Sequence, residues 1–127
     1  MAVKQMTTQE IVEHACKREG VPYEHTYVTI AKALEQGLMR IMRHGNTLFA
    51  YTIPKPHVAE VNMLTADNAN DLVKAFRNFD LAMRKAGFTK MISDVNDIGI
   101  FTILKRAGLM FKTTKTDKGS YILTIKA

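Results

Sequence analysis

The chain has 127 residues, 46% of them hydrophobic and 24% charged, with a net charge of +6 and a pI near 9.6. That is enough chain to bury a real core as one domain, 1–127. A single cysteine, Cys16, excludes an internal disulfide, and no apolar run is long enough to span a membrane.

The positive charge permits a polyanionic partner, either nucleic acid or a phosphate-rich cofactor. Lysines and arginines are spread along the chain, however, and Trp is absent. Nucleic acid therefore gains no support from a basic cluster or an aromatic platform. The opening M-A-V-K-Q-M-T-T-Q-E has no apolar h-region, so no signal peptide and a cytoplasmic location are expected.

Thr7-Thr8-Gln9-Glu10 matches a capping box. It predicts a helix carrying Ile11, Val12, Ala15 and Cys16, closed by Gly20. Val21-Pro22-Tyr23 is a break. A second helix is predicted after His25 and Thr26, with Tyr27, Ile30, Ala31 and Leu34 on one face and Gly37 at its end. The β-branched residues between Tyr27 and Ile30 leave its start open. Leu38 to Arg43 and Thr47 to Ile53 pattern as two strands joined by His44-Gly45-Asn46. Pro54-Lys55-Pro56 cannot sit inside a central strand and reads as a rigid connector.

From Val58 to Leu109 the chain reads strand, helix, strand, helix. Ala59, Val61 and Met63 alternate with Glu60, Asn62 and Leu64. Asp67 and Asn68 are the candidate caps of a helix whose stripe is Leu72, Phe76, Phe79 and Met83. Lys74, Arg77, Arg84 and Lys85 lie off that stripe, facing solvent, and Gly87 ends the helix. Met91 and Ile92 open a short strand. Asn96 or Asp97 caps a last helix with Ile100, Ile103, Leu104 and Ala107 on its buried stripe. A hairpin turned by Thr116-Asp117-Lys118-Gly119 completes the chain. The fold class is α/β, a mixed central sheet with flanking helices in the order α-α-β-β-β-α-β-α-β-β.

A strand, a crossover helix and a second strand favour a parallel βαβ unit. Ligands bind open α/β sheets outside the carboxyl ends of such strands. Here those ends are Thr65 to Asn70 and Ser93 to Asp97. Both are polar and both open a helix, whose free N–H groups suit a phosphate or carboxylate. Helix capping alone also accounts for these residues.

The element order, and the phrase D-I-G-I-F-T-I-L-K-R-A-G-L-M-F, resemble the GNAT N-acetyltransferase superfamily. The likeness is architectural over roughly 7–126 and closer over 58–111. It is similar to the small acetyltransferase-like proteins of tailed bacteriophages, which implies a phage origin and a place in the host cytoplasm or the virion. The resemblance implies acetyl-CoA as cofactor and an amine as acceptor. The strand ending Met63-Leu64-Thr65 would offer its main chain to the pantetheine arm. Asn68, Ala69 and Asn70 would receive the pyrophosphate. Ser93, Asn96 and Asp97 would face the cofactor, and residues 8–36 would wall the acceptor site.

Two features depart from the family. The pyrophosphate loop, usually Arg/Gln-x-x-Gly-x-Gly/Ala, is here T-A-D-N-A-N-D-L, without glycine or arginine. Asp67 and Asp71 oppose a pyrophosphate by charge sign. Leu104 stands where many members carry a tyrosine as general acid. For chemistry, acyl transfer needs a held cofactor, an oxyanion donor and a base. Glu60 is the first candidate base and His57 the second. Asn96 is the candidate polar catalytic group. Tyr51 and Tyr121 are the aromatic acids in reserve, both in strand patterns where packing is the default. The four histidines show no metal-ligand spacing, and no metal is expected. Because a fold does not dictate function, a virion or host-interaction protein with a protein partner is the alternative.

Overall fold

The computed structural model describes residues 5–126. Thr7 caps α1 (Thr8–Glu19) through the expected box: its side chain accepts from the Glu10 amide while the Glu10 carboxylate accepts from the Thr7 amide. Ile11, Val12, Ala15 and Cys16 are buried, and Gly20 ends the helix at φ 71°. The second helix, α2 (Tyr23–Glu35), starts four residues before the predicted point, because Pro22 takes the N-cap position. Proline there is preset for a helix start and loses no needed donor. No residue of α2 is buried. The predicted face of Tyr27, Ile30, Ala31 and Leu34 is thus not a core face, with Tyr27 40% and Leu34 39% exposed.

Six strands form one sheet in the order β1-β2-β3-β4-β6-β5. Strand β1 (Arg40–His44) begins later than predicted, and β2 (Thr47–Lys55) runs longer. Only Gly45 and Asn46 make the turn, since His44 already pairs with Thr47. Pro54 lies inside β2, not in a connector. It is tolerated because β1 pairs only as far as Tyr51 and the β2–β3 register shifts between Thr52 and Lys55. A two-residue turn, Pro56-His57, then leads into β3 (Val58–Thr65), with His57 at φ 65°.

Helix α3 (Ala69–Lys85) crosses from β3 to β4 (Lys90–Val95), which pairs parallel to β3 as expected. Helix α4 (Gly99–Arg106) leads to β5 (Phe111–Lys115) and β6 (Tyr121–Lys126), and β6 inserts between β4 and β5. Strand alternation divides the sheet into two faces. Phe49, Tyr51, Ala59, Val61, Met91, Leu123 and Ile125 meet α3 and α4 in the main core. Leu48, Ile41 and Leu64 meet α1 on the other side in a smaller one.

His44 borders the main core, edge-on to Phe49 at 6.1 Å. Its Nε2 is buried without a partner among the described residues, and burial lowers its pKa below the ordinary 6.5. A depressed histidine pKa means the unfolded chain takes up the proton first as pH falls. Stability is therefore expected to be full above about pH 6.5 and to fall below it. Thermal melts from pH 7.5 to 5.5 should show a shallower fall in His44→Phe than in the parent protein.

Candidate functional site

Strands β3 and β4 pair over only three positions: Val58 with Lys90, Ala59 with Met91, and Glu60 with Ile92. Both strands continue past that point. β3 stays paired with β2 through Thr65, and β4 with β6 through Val95. Each follows its outer neighbour and they cease to pair with each other, so the sheet opens into a cleft between 61–65 and 93–95. The main chain of β3 that faces this cleft, including Met63, Leu64 and Thr65, has no strand across from it. Glu60 stands at the vertex. It is exposed and shares the α1-side face with Asn62 and Leu64.

The mouth of the cleft is built by the segment after β3. Asn68, not Asp67, caps α3: its Oδ1 accepts from the Asp71 amide at 2.9 Å. Leu72 donates to the Asn68 carbonyl, so the amides of Ala69 and Asn70 remain at the helix tip with no protein acceptor among the described residues. Asp67 does different work. Its Oδ2 accepts from the Asn46 amide at 2.9 Å and the Thr47 hydroxyl at 2.7 Å. Thr47 and Thr65 hydroxyls meet at 2.6 Å beneath it. The Asp67 charge is thereby turned toward the β1–β2 hairpin and satisfied there.

Arg106, from the last turn of α4, donates to the Asn70 side chain at 2.5 Å. An arginine therefore stands at the tip of α3 although the loop sequence has none. The sequence could not show this, because positions 70 and 106 meet only when α4 packs on α3. Arg77 is also not simply solvated: it donates to the carbonyls of Ala107 and Arg106, fixing the end of α4. Arg84 pairs with the buried Asp80 at 2.8 Å.

After β4, Asn96 and Asp97 are exposed. Ile98 occupies the N-cap position of α4, and Asp97 Oδ1 accepts from the Gly99 amide at 2.8 Å. Asp97 thus holds the turn into α4, as its short carboxylate favours. Leu104 is fully buried in the main core. Tyr51 is buried against Phe79 and Phe88. Tyr121 pairs with Val95 at the carboxyl end of β4, half-buried and edge-on to Phe101 at 5.6 Å. Of the two reserve tyrosines it is the one at this end of the cleft.

His57 lies at the opposite end of β3, about 25 Å from Thr65 at strand rise. Its Nδ1 meets the Gly87 carbonyl at 3.0 Å and its own carbonyl accepts from the Thr89 amide. That is a tie between turns, which removes His57 as a base for the cleft. Two surface depressions, of about 460 Å³ beside Glu13, Lys17 and Tyr23 and about 400 Å³ beside Leu38, Ile53 and Pro54, include none of the cleft residues. Among the described residues no group of His, Cys, Asp and Glu could hold a metal, and no helix is long and apolar enough to cross a membrane.

This mixed sheet, parting between two parallel neighbours with a helix tip at the mouth, has the fold of the GNAT N-acetyltransferases. The structure matches ribosomal-protein-alanine N-acetyltransferase from Brucella melitensis with a TM-score of 0.60 at 10% identity, covering 100% of this chain and 99% of that one. It matches aminoglycoside acetyltransferase AAC(6')-Ib in complex with coenzyme A at 0.64 and 15%, covering 98% and 92%. It matches PaiA N-acetyltransferase from Thermoplasma acidophilum, also in complex with coenzyme A, at 0.60 and 14%, covering 98% and 97%. No family model matches the sequence, and no curated protein matches it.

Proposed function

We propose that the protein is an acyl-CoA-dependent N-acyltransferase with Glu60 as its general base. The observation that carries this reading is the parting of β3 and β4 immediately after Glu60. The unpaired edge of β3 over Met63, Leu64 and Thr65 can hydrogen-bond an extended amide chain as a missing strand would. The Ala69 and Asn70 amides, with Arg106 beside them, suit a pyrophosphate. Asn68 supports this tip as its cap, and Asn96 and Asp97 border the cleft on the β4 side. When bound, acetyl-CoA supplies the thioester carbonyl that accepts the amine.

Glu60 would then take the proton from the amine nitrogen as the C–N bond forms and the C–S bond breaks. With Leu104 buried, the leaving thiolate takes its proton from water or from Tyr121. The same buried Leu104, and the absence of glycine from the loop, favour the second reading: a non-catalytic virion or host-interaction protein on this scaffold.

Calorimetric titration with acetyl-CoA and with CoA separates the two. Saturable micromolar binding that survives moderate salt supports the acyltransferase. No heat and no thermal shift at millimolar cofactor sinks it. Arg106→Gln should weaken CoA binding by roughly three- to tenfold, the worth of one partly exposed charge-assisted contact, and leave the melting temperature nearly unchanged. Unaltered affinity would remove Arg106 from the site.

A further inference from the structure

The α1-side face of the sheet is covered only in part. Helix α1 packs against β2 and β3 through Leu48 and Leu64. Across β4, β6 and β5 the residues of that face are half-buried or exposed, and among the described residues none of them belongs to the core packed on α1. Register fixes what it presents. Lys55 pairs with Val58, Val58 with Lys90, and Lys90 with Lys126, so one row across four strands holds three lysines. Lys90 and Lys126 are directly opposite, an arrangement that like charges disfavour. Among the described residues the one ion pair is Arg84–Asp80, so no carboxylate relieves this row. Lys112, paired with Thr124, lies one row further along.

On β3 and β4 the next rows of the same face change sign, while Lys112 shares Glu60's row three strands away at the β5 edge. Glu60 lies one row beyond the lysines, about 8 Å from Lys90 by strand spacing and rise. Asp94, exposed, lies one row beyond that. A long polyanion laid along the strands would meet both carboxylates, which disfavours nucleic acid. A compact ligand with an anionic end and an amine end matches the order of charges.

We propose that this face selects the acceptor, and that the acceptor is an amine bearing a carboxylate or phosphate about 7–10 Å from its nitrogen, the spacing of these rows. The anionic group lies on Lys55, Lys90 and Lys126, and the amine lies at Glu60 beside the cleft. This rests on the acyltransferase reading, since Glu60 is the base there.

The test uses the full chain, acetyl-CoA, and three matched acceptor sets: ω-amino carboxylates, ω-amino phosphates, and uncharged or cationic amines of equal length. The anionic amines should show kcat/KM about tenfold or more above the others, as several exposed charge contacts together allow. The carboxylate and phosphate arms decide between those two groups. Lys90→Gln combined with Lys126→Gln should abolish the preference through KM, with kcat and CoA affinity retained, while Lys105→Gln leaves it intact. Equal kcat/KM across the sets, or a preference for diamines, would overturn the proposal. Without any cofactor, titration with the anionic amines should shift the amide resonances of Lys90, Thr124 and Lys126; unmoved resonances would also overturn it. That binding arm stands apart from CoA affinity, so a failure of the acyltransferase reading would be seen separately.

Discussion

Glu60→Gln is expected to lower kcat on the order of 10²- to 10⁴-fold, the range general-base removal commonly costs. Stability and CoA affinity should hardly change. Glu60 is exposed, and among the described residues it makes no ion pair or side-chain hydrogen bond that glutamine would forfeit. Glutamine also keeps the size and the strand environment, so the pairs with Thr52 and Ile92 persist. The loss should fall on kcat and on kcat/KM alike, as for a group that acts only in the transition state. A kcat within twofold of the parent protein would remove Glu60 as base, and equal loss of activity and melting temperature would make it a structural residue.

How far such a site could be read from sequence depends on the distance between the residues that make it. The strand at Val58, the crossover helix and the strand at Lys90 were legible because period-2 and period-3.6 patterns are local. Their parallel pairing followed from the crossover. That the pairing stops at Glu60 was not legible, since it depends on β2 and β6 pulling two strands apart. Asp67 and Asn68 are chemically equivalent as caps, and only the fold shows that the hairpin at Asn46 and Thr47 claims the first. The amphipathic pattern of α2 points to burial, but α1 already covers that part of the sheet, and α2 packs on it through the half-buried Tyr23 without burying any residue. Pro54 reads as part of a connector because no local pattern shows that β1 ends early and leaves that part of β2 at an edge. The lysine row needs four strands in register, with Lys55, Lys90 and Lys126 far apart in the chain, and no window along the sequence brings them together.

Phe49→Ala should cost about 3–5 kcal/mol, the usual range for a large buried aromatic cut to alanine. Phe49 is fully buried. Its ring stacks on Phe79 at 4.1 Å and 7° and meets Phe76 edge-on at 5.2 Å. Truncation would leave a cavity lined by aromatic rings anchored on α3, which cannot collapse into it without moving the helix. By contrast Leu81, on the same helix but 63% exposed, should cost under about 0.5 kcal/mol as alanine. The effect should also reach the cleft. Phe49 pairs with Met63, in the half of β3 that has lost β4 as a neighbour. That half is held by β2 on one edge and by the core beneath it, so a void at Phe49 loosens the strand edge proposed to bind the cofactor. Urea denaturation and CoA titration on the same variant should therefore both fall, and Phe49→Leu, with a smaller void, should lose less of each. A stability loss below about 1 kcal/mol would show that the core repacks around the gap, and CoA affinity unchanged despite the full loss would show that β3 holds the cleft without it.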